Sequence, residues 1–118
     1  MKYETGRGRT ALCYEIRCFG PDLLIHISGG SDHLGAVSAA AGGSVTTQVF
    51  LGHEEKCLTE PLAKALSEDF PGNVVVSAGV HLDQIRKEEI AVILAANEAA
   101  AGRIITLLER EEREFRED

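Results

Sequence analysis

Three of the four histidines in this 118-residue chain lie close to glycines. His33, His53 and His81 each follow or close a predicted strand, next to a glycine-containing segment. Imidazole is the commonest metal ligand in proteins, and glycine lets the backbone come close to a bound group. If the fold brings these three segments together, they can form a binding site. The fourth histidine, His26, lies between isoleucines inside a predicted strand, which is typical of a structural or surface residue.

Acidic residues accompany these histidines along the chain. Three imidazoles, with a nearby carboxylate as an additional ligand, suit a divalent transition metal. No two of the histidines have the short spacing of a helical zinc motif, so three hydrogen-bonded loop histidines are the alternative interpretation. The neighbouring acids are Asp32, Glu54, Glu55 and Asp83.

The segment Gly29-Gly30-Ser31 is a candidate phosphate cradle. Successive backbone N–H groups in a glycine-rich turn can bind an anion. Lys56, just before a predicted helix, could supply the positive charge that this segment lacks. The glycine spacing does not match a dinucleotide-binding fingerprint, and a plain turn is the alternative.

Nucleophilic catalysis has little support in the sequence. Ser28, Ser31 and Cys57 each lie within a few residues of a histidine or an acid. Neither a Gly-x-Ser-x-Gly elbow nor a Cys–His signature accompanies them. Because a chain this small would need two subunits to enclose an active site, the sequence favours binding over turnover.

Length and charge exclude several classes of function. A chain of 118 residues is one domain. Its formal charge of −7 and the lack of a basic stripe remove the electrostatic basis for binding nucleic acid or an anionic membrane surface. The longest apolar runs, residues 23–27, 74–76 and 90–96, are much shorter than the roughly 20 residues that span a bilayer. With no apolar leader at its start, the chain is expected to be cytoplasmic.

Hydrophobic periodicity predicts the elements that position the candidate residues. Alternating apolar residues predict strands at 12–18 and 23–28, and at 35–41 and 44–51, the last two joined by Gly42-Gly43. Two successive hairpins imply an antiparallel meander, with a loop at residues 29–34 between them. The many small residues at 35–41 indicate that a helix, a second subunit or a ligand packs closely there.

The second half of the chain is predicted to contain two helices around one strand. Thr59-Glu60-Pro61 is a helix start signal, and residues 73–82, apolar on both faces, predict a central strand. A long amphipathic helix follows at about residues 86–113. At roughly 40 Å this helix exceeds the ~30 Å of a small domain, so it overhangs the sheet or pairs with a partner's helix.

Together these elements predict an α+β fold, with an antiparallel sheet of about five strands and two helices packed on one face. Residues 1–9, which are polar and rich in Gly and Arg, are expected to be a loose arm, and residues 10–118 a single domain. We expect a homodimer that buries either the small-residue strand or the long helix.

Several motifs in the chain resemble the LpdD-like family, over about residues 10–108. The most specific is Gly79-Val80-His81-Leu82-Asp83 leading into Lys87-Glu88-Glu89-Ile90. The others are Ser28-Gly29-Gly30, His33-Leu34-Gly35-Ala36-Val37 and Leu51-Gly52-His53-Glu54-Glu55-Lys56. Members of this family resemble proteasome-assembly-chaperone folds and occur beside UbiD-type decarboxylases. They are described as chaperones or carriers for prenylated flavin mononucleotide (FMN), the cofactor of those decarboxylases.

The resemblance implies a non-catalytic chaperone that binds prenylated FMN for a UbiD-type decarboxylase. By position, His33, His53 and His81, with the glycines beside them, line the cofactor or metal site. We expect a lysine directly after the second-loop histidine, but Glu54-Glu55 intervene before Lys56, which makes Glu55 a candidate metal ligand.

The net charge of the chain leads to an expectation about how the phosphate of prenylated FMN is bound. A dianionic phosphate beside a chain of charge −7 needs local positive charge, which a divalent metal held by the histidines would provide. The alternatives are a small metal-dependent enzyme that uses the same histidines and a structural assembly subunit.

Overall fold

The computed structural model describes the backbone of residues 1–50 and 55–117 and the side chains up to residue 111. Within these residues the chain forms one six-stranded sheet and two α-helices. The strands are β1 (Lys2–Thr5), β2 (Leu12–Phe19), β3 (Asp22–Gly30), β4 (Ala36–Ala41), β5 (Ser44–Val49) and β6 (Val74–His81). The helices are α1 (Lys56–Asp69) and α2 (Lys87–Glu117), and a short 3₁₀ turn covers Gly8–Thr10.

Both predicted hairpins are present. In the first, β2 pairs antiparallel with β3, and its turn contains Gly20 at a φ of +60°. In the second, β4 pairs antiparallel with β5 across Gly42 and Gly43, whose φ angles are +57° and +84°. Two consecutive positive φ angles match the twist of the flanking strands and are strained for most other residues, which explains the glycine pair.

The strand order is β1-β2-β3-β6-β4-β5, so β6 lies between the two hairpins. It pairs parallel with β3 and antiparallel with β4. The predicted antiparallel meander is therefore wrong and the sheet is mixed, because the chain crosses over through α1 before it returns to the middle of the sheet. The prediction that this strand is central is confirmed.

The sixth strand is β1 at the edge of the sheet, where a loose arm at residues 1–9 is predicted. Lys2–Thr5 pairs antiparallel with β2, and the rings of Tyr3 and Tyr14 lie 5.7 Å apart between centroids. About five strands are predicted because this strand is only four residues long and largely polar. β3 also extends through Gly30, so the connection predicted at residues 29–34 begins only after that residue.

The two helices cover one face of the sheet, as predicted. On this face Tyr14, Ile25, Val76 and Ala36 are fully buried, whereas their neighbours on the opposite face are half-buried or exposed. α1 begins at Lys56, before its predicted start at Thr59. Thr59 is buried inside the helix, and its hydroxyl accepts a hydrogen bond of 2.7 Å from Ser38 in β4. The close neighbour of the small-residue strand is therefore α1.

The helix α2 is attached to the core through Asn97. The Asn97 side chain accepts a hydrogen bond of 2.7 Å from the Tyr14 hydroxyl and donates one of 3.0 Å to the Leu58 carbonyl. By length and composition alone, Lys87–Glu111 could cross a membrane, since its most apolar window has a mean hydropathy of 1.6. This apolar segment is longer than the runs recognised in the sequence. Only 22% of the window is buried in the fold, so most of this apolar helix faces outward.

Candidate cofactor-binding site

The parallel pairing of β3 with β6 brings two of the candidate histidines together. The two strands end side by side, with Gly30 opposite His81, and His33 follows three residues after β3. The rings of His33 and His81 lie 6.2 Å apart between centroids and are nearly perpendicular, at 85°. Ligands of sheets with parallel strands bind outside the carboxyl ends of those strands, and the two histidines lie at such an edge.

Glu55, the residue before α1, joins this cluster. Its Oε1 lies 2.7 Å from His33 Nε2, although only 7% of its side chain is exposed. His33 Nδ1 donates to the Ser31 carbonyl at 3.0 Å. That hydrogen bond, with the further effect of the Glu55 carboxylate, raises the pKa of His33. The contact joins the half-buried His33 ring to the buried Glu55 carboxylate.

Two glycines allow this close arrangement. A Cβ atom at Gly35 would collide with the Glu55 carboxylate, and one at Gly79 would collide with the His33 carbonyl. Any larger residue would push Glu55 or the His33 segment away from the end of β6. The glycines beside the histidines are predicted from the sequence to admit a bound group, whereas in the structure Gly35 and Gly79 make room for Glu55 and the His33 backbone and so position the site.

The segment predicted to bind phosphate, Gly29-Gly30-Ser31, continues the pairing of β3 with β6. Gly30 has a φ of +68° and lies against the His81 carbonyl, and the Ser31 amide donates to the same carbonyl at 3.2 Å. Gly29 and Gly30 border a separate cavity of about 260 Å³, which Asp32 also lines. Lys56 is the exposed first residue of α1. Phosphate binding by these residues stays a prediction.

A cavity of about 340 Å³ opens beside the cluster. Its polar side contains Glu55 and His81, and the Asp83 carboxylate lies 3.2 Å from His81 Nε2. Its volume lies within the range of small-molecule sites. Cys57 also lines the cavity. The other side is aliphatic and consists of Leu58, Val80, Leu82, Ile85, Ile90, Ile93 and Leu94. In the sequence these residues are recognisable only as apolar strand and helix positions.

His53 and Glu54 lie outside the described residues, so their predicted roles are not assessed by the structure. Among the residues that the structure does describe, no group of three or more His, Cys, Asp or Glu side chains converges as a metal site. His33, Glu55 and His81 therefore do not form a divalent metal site on their own, because even a site with only three protein ligands needs their donor atoms to converge on one point.

The chain is a small α+β domain with a cavity beside the cluster of His33, Glu55 and His81. Residues 6–109 match the family described as the prenylated flavin chaperone LpdD-like domain. The chain is also similar to Protein LpdD of Lactiplantibacillus plantarum, with 28% identity over 101 residues that cover 80% of this chain and 74% of the relative. This protein belongs to the LpdD-like chaperone family, as its motifs indicate.

A solved structure has the same fold. A chain from the crystal structure of a chaperone complex for yeast 20S proteasome assembly superimposes with a TM-score of 0.59 and covers 94% of each chain. The sequences are only 12% identical, so the similarity concerns the fold alone. The expected relation to proteasome-assembly-chaperone folds is confirmed.

Proposed function

We propose that this protein binds prenylated FMN in the cavity beside His33, Glu55 and His81 and carries it to a UbiD-type decarboxylase. The observation that carries the proposal is this cavity, which combines an aliphatic side with two polar residues in a member of a prenylated flavin chaperone family. A flavin ring system has apolar faces and a polar edge. The aliphatic residues can cover the faces, while Glu55 and His81 bind the edge.

The residues of the site support a carrier better than an enzyme. His33 is held by the Ser31 carbonyl and by Glu55, so its ring has a fixed orientation. Such a cluster can orient a ligand, and the aliphatic side excludes water from it. A carrier must also release its ligand, and an open cavity at the edge of the sheet allows an acceptor protein to approach.

The test is binding followed by transfer. Prenylated FMN, added to the purified protein, is expected to remain with it through gel filtration, as measured by its visible absorbance, and then to activate an apo-decarboxylase of the UbiD type. His81→Ala should weaken binding at least tenfold, because it removes a polar wall of the cavity. His26→Ala is the matched control, since His26 bonds Ser77 within the sheet. Equal binding by wild type and His81→Ala would contradict the proposed site.

The proposal includes a homodimer in the cytoplasm and, for the flavin phosphate, a divalent metal. The described residues do not complete a metal site, so His53 is the residue proposed to supply the missing ligand. Elemental analysis of wild type and His53→Ala tests this. Metal that is present in the wild type and lost in the variant supports the proposal, and a metal-free wild type contradicts it.

A further inference from the structure

We propose that the start of α2 selects prenylated FMN over unmodified FMN, through the cavity side formed by Ile90, Ile93 and Leu94. This inference rests on the proposed function and adds to it the residues that recognise the modification. It follows from the position of these three residues on α2, from their exposure, and from the chemical difference between the two flavins.

Two of these three apolar side chains are exposed at the surface of α2. Ile93 is buried, with 5% exposure, and anchors the helix in the core. Ile90 and Leu94 line the same cavity but are 41% and 39% exposed. Covering such apolar surface with an apolar group is favourable, because it removes that surface from water. The exposed side of the cavity therefore favours an aliphatic ligand group.

This side of the cavity is also held in place before any ligand binds. Glu89, one residue before Ile90, accepts hydrogen bonds from the Arg9 side chain at 2.7 Å and from the Arg86 amide at 3.0 Å. These bonds fix the first turn of α2 against the N-terminal segment. A preorganised surface loses less entropy on binding and so discriminates more sharply between ligands.

The polar residues of the cavity cannot make this distinction. Prenylated FMN and FMN share the ribityl phosphate and most of the flavin edge, so Glu55 and His81 meet similar groups in both. The two ligands differ by an added isoprenoid unit, which is aliphatic. Only an apolar surface that contacts this unit makes the binding free energy of prenylated FMN more favourable than that of FMN.

The experiment compares both flavins on two matched variants of α2. Leu94→Ala removes part of the cavity side, whereas Val92→Ala shortens a side chain on the same helix that is 50% exposed and is not among those lining this cavity. Dissociation constants are measured by flavin fluorescence for wild type and both variants. Melting temperatures verify that each variant is folded.

We expect Leu94→Ala to weaken binding of prenylated FMN about tenfold while changing the affinity for FMN by less than about twofold. Val92→Ala should leave both affinities unchanged. Equal losses for the two flavins in Leu94→Ala, or no loss for either, would overturn the inference but leave the proposed function intact. A wild-type protein that binds neither flavin would overturn both.

Discussion

Glu89 is a buried carboxylate that connects α2 to the N-terminal segment. Hydrogen bonds from Arg9 and from the Arg86 amide lower its pKa from the usual 4.5 to about 2. Because the folded state holds the ionised form, this stabilisation is complete above about pH 4.5 and is lost as the pH falls toward 2. We therefore expect urea unfolding at pH 7 to give a larger free energy of unfolding for wild type than for Glu89→Gln. The difference between the two proteins should be smaller at pH 3.

The exposed neighbour Glu88 provides the control for this experiment. Glu88→Gln should change the urea midpoint little at either pH, because surface charges contribute little. A margin between wild type and Glu89→Gln that is the same at both pH values would contradict the assigned hydrogen bonds.

Replacing Gly79 or Gly102 with alanine is predicted to change the free energy of unfolding in opposite directions. Gly79→Ala places a Cβ against the His33 carbonyl and should lower the free energy of unfolding by about 3 kcal/mol. Gly102 lies in α2 with open space around it, so Gly102→Ala should raise that free energy by about 0.5–1 kcal/mol. Thermal unfolding of both variants measures whether each substitution lowers or raises the free energy of unfolding. An unchanged stability of Gly79→Ala would show that the His33 segment can move away.

Among the elements, α2 is joined to β2 by the buried hydrogen bond between Tyr14 and Asn97. Tyr14→Phe removes the donor to Asn97 and leaves that amide oxygen buried. The expected loss is about 1–3 kcal/mol in the free energy of unfolding, with little change in the secondary structure seen by circular dichroism. A loss below about 0.5 kcal/mol would mean that Asn97 finds another donor.

The elements themselves were largely predictable from the sequence, but their arrangement was less so. Alternation located β2 and β3, and the glycine pair located the turn between β4 and β5. The central position of β6 was predicted, but its insertion between the two hairpins was missed, because short-range patterns favour neighbouring strands as partners. Its apolar residues on both faces are typical of a parallel strand, and this was the available signal.

The site was predictable only in part, for a similar reason. His33, Glu55 and His81 were candidates because of residue type, and the parallel pairing that brings His33 and His81 together depends on long-range contacts. The aliphatic cavity side at Ile90 and Leu94 was not recognised, because apolar helix residues normally indicate core packing. Their exposure becomes visible only when the fold is known.

For the whole molecule, the outward-facing α2 and the small residues of β4 offer two surfaces for the proposed homodimer. Ala95 in α2 and Ala39 in β4 are both exposed. An aspartate buried in a subunit contact is strongly unfavourable, so either Ala95→Asp or Ala39→Asp should give monomers. Analytical ultracentrifugation measures the masses, and a monomeric wild type would contradict the dimer.

The position of β6 also affects how the protein is made. A ribosome releases both hairpins, β2–β3 and β4–β5, well before residues 74–81 emerge. Until then β3 and β4 each expose an unpaired edge, and such edges can pair with other chains. Synthesis that pauses between α1 and β6 is therefore expected to promote aggregation, and the nascent chain needs either rapid elongation or protection by cellular chaperones across that interval.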